Sequence, residues 1–142
     1  MPDLTLIQAQ SIVATALAEA RRRALKPMVV AVLDARGAYK ALAAEDGASL
    51  KRAEIAHGKA HGALALGMGS RAIAKRAAEQ AHFIAAVSHV AGGALIPLPG
   101  GVLVRDGTTL LGAVGVSGDT SDNDEVAALA GIAAAGLAAD PG

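Results

Sequence analysis

The chain of 142 residues contains no cysteine, no tryptophan, one tyrosine and one phenylalanine. The lack of cysteine excludes disulfide staples, zinc–thiolate centres and thiolate nucleophiles. The lack of aromatics means that the core cannot be built on large ring anchors. Charge of one sign is not in excess either. Thirteen Lys and Arg stand against 13 Asp and Glu, for a formal net charge of zero. A general nucleic-acid binder needs a basic surplus to neutralise phosphates, so that class is set aside. No apolar run reaches the roughly 18 residues of a membrane span. The opening Met1-Pro2-Asp3 lacks the basic stretch of a signal peptide. A soluble, cytoplasmic protein is expected.

What fills the chain instead is alanine, at 36 positions, within a sequence that is 53% hydrophobic and 18% charged. That balance argues for a folded domain rather than a disordered segment. The length fits one domain over residues 1–142. Small side chains bury little area each, so such a core depends on closely approaching backbones. Further apolar burial between subunits would add stability, and a homo-oligomer is expected.

Thr5-x-x-Gln8 has the form of a capping box, and Ala9, Val13, Leu17, Ala20 and Ala24 follow at helical spacing. A helix over 6–24 is expected, its arginine run Arg21-Arg22-Arg23 a solvated end. Met28 to Leu33 is a β-branched apolar run suited to a strand buried on both faces. Asp34-Ala35-Arg36-Gly37 reads as a hairpin turn into a strand over 38–44. Alanine-rich helices follow over 50–66 and 70–87. Glycines and prolines then punctuate three short runs, 94–98, 101–105 and 109–116, read as an antiparallel meander. A polar loop ending at Ser121 or Asp122 caps a last helix over 122–138. The resulting order, α-β-β-α-α-β-β-β-α, is an α+β domain with a five-stranded antiparallel sheet.

Three segments carry a resemblance. They are Val30-Ala31-Val32-Leu33-Asp34-Ala35-Arg36-Gly37; Asp46-Gly47-Ala48 with Ile55-Ala56 and Lys59-Ala60; and Pro99-Gly100-Gly101-Val102 with Gly112-Ala113-Val114-Gly115-Val116-Ser117-Gly118 and Asp124. In this order they resemble the GlcG/HbpS family, small domains labelled heme-degrading or heme-binding and also found at the C-terminus of PduO-type adenosyltransferases. The resemblance covers roughly residues 4–137. It implies a profilin-like sheet flanked by helices, assembly into oligomers, and heme or a related tetrapyrrole as ligand.

Several constellations bear on chemistry. Lys59 lies on an otherwise apolar helix face with Ile55, Gly62, Ala63 and Leu66, so its ammonium needs a partner, a cavity or an edge. A desolvated lysine serves as base or Schiff-base amine, or binds a carboxylate; it also serves as a structural ion-pair partner, with Asp46 or Asp34 available. Glu54, His57 and His61 share a helix face, and the two histidines have chelating i, i+4 spacing. A solvated polar face has the same spacing. His82 and His89 sit seven apart, about 10 Å by helical rise, too far for one metal ion to join. Each suits a heme axial ligand, a general base or a helix-surface role. Gly100 and Gly101, with Gly112 to Gly118 and Ser117, suit either an approaching ligand or tight turns. The run from Asp119 to Glu125 mimics a calcium loop but lacks its central glycine and closing glutamate, which favours helix capping.

Two functions from different classes follow. One is a small-ligand binder of the GlcG/HbpS type holding heme or a related tetrapyrrole. The other is a small hydrolase, isomerase or lyase acting on a carboxylated metabolite, with Lys59 and Asp46 catalytic and Arg105 anchoring the anion. A third, an accessory protein without chemistry, has no residue of its own to point to.

Overall fold

The computed structural model describes residues 3–142. Thr5 caps helix α1 (Leu6–Arg22) through the expected box: its hydroxyl accepts from the Gln8 N–H at 3.1 Å and the Gln8 side chain accepts from the Thr5 N–H at 3.0 Å. Strands β1 (Val29–Asp34) and β2 (Tyr39–Ala44) form the hairpin. Its turn is closed by Asp34, whose carboxylate accepts from the Arg36 and Ala38 N–H groups at 2.9 and 3.0 Å. Helices α2 (Arg52–Leu66), α3 (Ser70–Glu79) and α4 (Ala81–Val90) follow, then β3 (Gly101–Asp106), β4 (Thr109–Ser117), α5 (Ser121–Ala134) and β5 (Ala138–Asp140). The sheet is antiparallel throughout, in the order β2-β1-β4-β3-β5.

Strand alternation sorts the sheet into two unlike faces. Val30, Val32, Val102, Val104, Val114 and Val116 point to one side. There they meet Ala9, Ile12, Val13, Ala16 and Ala20 of α1 and Ala127, Ala128 and Ile132 of α5. Each buried valine contributes roughly 1.5–3 kcal/mol relative to exposure. Val29, Ala31, Leu33, Leu103 and Ala113 point to the other side, where α2 lies on them with Ala56, Ala60 and Ala63. Helix α2 docks by its main chain. A Cβ at Gly115 would overlap the carbonyl oxygen of Ala56, and one at Gly101 would overlap that of Lys59. These glycines of the signature therefore serve helix-to-sheet contact, a use that tight turns and ligand approach both overlook.

Three expected elements differ. Residues 94–98 are not a strand: Pro97 and Pro99 remove ladder donors, and the segment instead crosses α2, with the Ile96 N–H bonded to the Gly58 carbonyl at 3.2 Å. The fifth strand is β5, pairing Ala138, Ala139 and Asp140 with Arg105, Val104 and Leu103. The helix expected over 70–87 is two helices, broken at Gln80, whose φ of −140° and ψ of 64° are not helical. The last helix stops at Ala134 and not 138, because Gly136 takes φ +73°.

Candidate functional site

Lys59 is 2% exposed, and the carboxylate that meets it belongs to α5: Nζ lies 3.1 Å from Asp124 Oδ2 and 2.9 Å from the Val116 carbonyl oxygen. Asp124 is itself 1% exposed and accepts from the Asp119 N–H at 2.9 Å through its other oxygen. Burial pulls the Lys59 ammonium below its usual value and pushes the Asp124 carboxyl above its own; their mutual attraction opposes both shifts. A Cβ at Gly100 would lie 2.9 Å from Nζ, so the glycine there leaves the lysine its room. Neither Asp46 nor Asp34 is its partner. Asp34 pairs with Arg36 at 3.0 Å, and Asp46 is exposed in the turn after β2.

The same side of the molecule carries further polar contacts. Ser117 accepts from Arg52 Nη1 at 3.1 Å, and the Gly101 N–H donates to the buried Ser70 hydroxyl at 2.6 Å. Arg71 grips Glu125 and Asp122 with one guanidinium, a clamp between α3 and α5 that holds the arginine firmly protonated. No buried side-chain N or O atom lacks a partner among the described residues. The interior polar groups therefore form a closed set that ties α2, α3 and α5 to the sheet.

Two clefts open beside this set and share Pro27. The broader one, about 470 Å³, is lined by Arg21, Pro27, Ala44, Glu45 and Asp46. The smaller, about 190 Å³, is lined by Lys26, Pro27, Gly47, Ser49, Arg52 and Gly118. Asp46 and Lys59 are thus not assembled into one centre. Arg105 is likewise elsewhere, paired with Asp140 of β5 at 3.3 Å.

His57 and His61 stack on α2 with ring centroids 5.3 Å apart, and Tyr39 lies 5.0 Å from His57. The His61 Nδ1 is bonded to the Ala94 carbonyl at 2.8 Å. Burial and the neighbouring ring lower the His57 pKa. Glu54 is turned to Lys51 at 3.3 Å, and no group of three or more metal-binding side chains occurs among the described residues. The pair has no third ligand among the described residues.

His82 and His89 share one exposed strip of α4 with Ala85 and Ala86. Neither ring makes a hydrogen bond among the described residues. Phe83, 39% exposed, carries the Arg76 guanidinium 4.1 Å over its ring. The polar loop before α5 is a cap, as expected, but the capping residue is Thr120, whose hydroxyl accepts from the Asn123 N–H at 3.3 Å. Asp124 as the lysine's partner was missed. A signal for it exists: Asp124 falls on the same helical stripe as Ala127, Ala128 and Ile132, all buried.

The comparisons agree with this architecture. A family model described as haem degrading protein HbpS-like matches residues 4–133. The crystal structure of a PduOC:heme complex superposes with TM-score 0.86 at 23% identity, covering 96% of this chain and 97% of that one. The Klebsiella pneumoniae protein ORFY superposes with TM-score 0.87 at 25% identity, covering 96% and 92%. The crystal structure of HbpS superposes with TM-score 0.82 at 28% identity, covering 94% and 90%, and that of a Streptomyces reticuli HbpS double mutant with TM-score 0.80 at 28% identity, covering 94% and 87%. Comparison with curated protein sequences gives no match. The chain belongs to the HbpS-like family.

Proposed function

We propose that this HbpS-like protein binds heme or a related tetrapyrrole on the exposed surface of α4, with His82 or His89 as the axial ligand. The observation that carries the reading is the α4 strip: two imidazoles without a hydrogen-bond partner among the described residues, separated by Ala85 and Ala86, beside a partly exposed Phe83. Tetrapyrrole binding asks for an apolar floor, a nitrogen donor and a cation for the propionates. The strip offers the first two, and Arg76 beside Phe83 offers the third. Heme would supply the iron chemistry; the chain supplies a ligand, an apolar surface and a counter-charge. Family membership supports this ligand class, as does the heme held by the PduOC structure of the same fold. By contrast, Lys59 is occupied by Asp124 and has no opening to a substrate. One helix face covers one side of a macrocycle. A homo-oligomer, in which a second copy covers the other, fits the exposure of Val90 on the same helix.

The test is a hemin titration at neutral pH on wild type, His82→Ala and His89→Ala. The expected result is a Soret band that shifts and saturates at micromolar hemin or below, lost in one of the two variants. Weak, unsaturable binding that is equal in all three proteins would refute the reading.

A further inference from the structure

The smaller cleft joins four elements of the chain at one point. Lys26 and Pro27 come from the segment before β1, Gly47 and Ser49 from the loop after β2, Arg52 from the first turn of α2, and Gly118 from the bend just after β4. Two of the six lining residues are cations, and no acidic side chain lines the cleft. Asp119 attracts the Lys26 charge through space, but neither cation is closed into an ion pair. Among the described residues, no carboxylate forms an ion pair with Lys26 or Arg52. Among the other arginines, Arg21, Arg22, Arg23, Arg36, Arg71 and Arg105 are paired with carboxylates, while Arg76 is engaged by Gln80 and the Phe83 ring.

Arg52 is also held in place. Its Nη1 donates to Ser117 Oγ at 3.1 Å, and Ser117 is fully buried at the end of β4. That bond uses one of five guanidinium donors and fixes the fork without spending its charge. Asp46 and Asp119 adjoin the lining glycines Gly47 and Gly118 in sequence; Asp46 is exposed, while Asp119 is occupied by three donors. It accepts from the Lys26 main-chain N–H at 2.8 Å, from the Thr120 N–H at 2.8 Å and from the Asn123 amide at 2.8 Å. Asp124 in turn anchors the Asp119 N–H, so the wall beside Gly118 rests on the buried ion pair. The cleft is therefore rigid, polar and electropositive.

We infer that this cleft binds a small carboxylate, with Arg52 as the anchor, Lys26 as a second positive charge and the Ser49 hydroxyl as a further donor. A guanidinium fork matches the two oxygens of a carboxylate, and a volume of about 190 Å³ suits a molecule of a few carbons and not a macrocycle. The site is separate from α4, so it stands or falls independently of tetrapyrrole binding.

Sodium succinate is the probe, titrated at constant ionic strength into the ¹⁵N-labelled chain while the amide spectrum is recorded, with sodium chloride and sodium phosphate as parallel arms. Succinate is expected to shift the Gly47, Ser49 and Gly118 amides saturably. Arg52→Gln should weaken it by about tenfold or more, the loss of one charged hydrogen-bonding partner. Lys26→Gln should weaken it less while leaving the fold's spectrum intact, which guards against Arg52→Gln acting only through its Ser117 bond. Equal shifts with chloride, or succinate binding that survives both substitutions, would overturn the site. Saturation by phosphate alone would overturn its assignment to carboxylates.

Discussion

Helix α2 and helix α4 both carry chemistry-bearing side chains on alanine-rich frames, and the structure treats them in opposite ways. On α2, Lys59 is buried and bonded to Asp124 and to the Val116 carbonyl. On α4, His82 and His89 are exposed, with no hydrogen bond from either ring among the described residues. A buried charge survives only when its partners are complete, and completing them takes the group out of reach of a ligand. The difference teaches that the residue most conspicuous in the sequence holds the fold, while the residues with free valence for a ligand lie on a plain surface strip.

The comparison can be broken most forcefully at Lys59. Lys59→Met leaves the Asp124 carboxylate buried without its counter-charge and should cost about 3–5 kcal/mol in denaturant unfolding. The double variant Lys59→Met/Asp124→Asn removes that orphan and keeps an acceptor for the Asp119 N–H. It should recover most of the loss. No recovery would mean that Lys59 does something other than neutralise Asp124.

Gly115→Ala tests the docking of α2 by a different route. Its new methyl would overlap the Ala56 carbonyl, which is backbone and cannot rotate away. The cost should reach the upper part of about 1–3 kcal/mol. An unchanged melting temperature would show that α2 can slide.

Asp119 gives a smaller effect with a pH signature. The Lys26 main-chain N–H, then the Asn123 amide and the Thr120 N–H, hold its carboxyl down to about 2, against an ordinary 3.8. A carboxyl lowered in the folded state contributes stability that is full above its unfolded value and is lost as pH falls through its folded one. Wild type should therefore lose stability between pH 3.8 and about 2. Asp119→Ala, costing about 1–2 kcal/mol at neutral pH, should show a shallower fall there in acid titration followed by circular dichroism.

The smallest effect on stability belongs to α4. His82→Ala and His89→Ala should each change unfolding free energy by no more than about 0.5 kcal/mol, as exposed substitutions do. A larger loss in either would show that the ring is engaged and would close the gap between the two helices.

Much of this was legible in residues whose roles are local. The Thr5–Gln8 box, the β-branched run of β1 and the Asp34 turn each need only neighbours in sequence, and each forms as expected. The resemblance read in three short segments also held, because those segments include the glycines on which α2 rests. What escaped depends on distant partners. β5 is Ala-Ala-Asp, with no alternation to reveal it, and forms because β3 offers an open edge. The break at Gln80 carries neither glycine nor proline. Lys59 meets Asp124 across 65 residues, a pairing that periodicity suggests only after the stripe on α5 is recognised. The clustering of Lys26, Ser49 and Arg52 arises where four separated segments meet, and no linear motif marks it.

The most direct measurement compares two double variants in one hemin titration, His82→Ala/His89→Ala on α4 and His57→Ala/His61→Ala on α2. Both remove two imidazoles, so the nitrogen count is matched. The account predicts that the α4 variant loses the saturable Soret shift and the α2 variant keeps it. The reverse pattern would place the ligand on the stacked pair beside Tyr39 and contradict the assignment to α4.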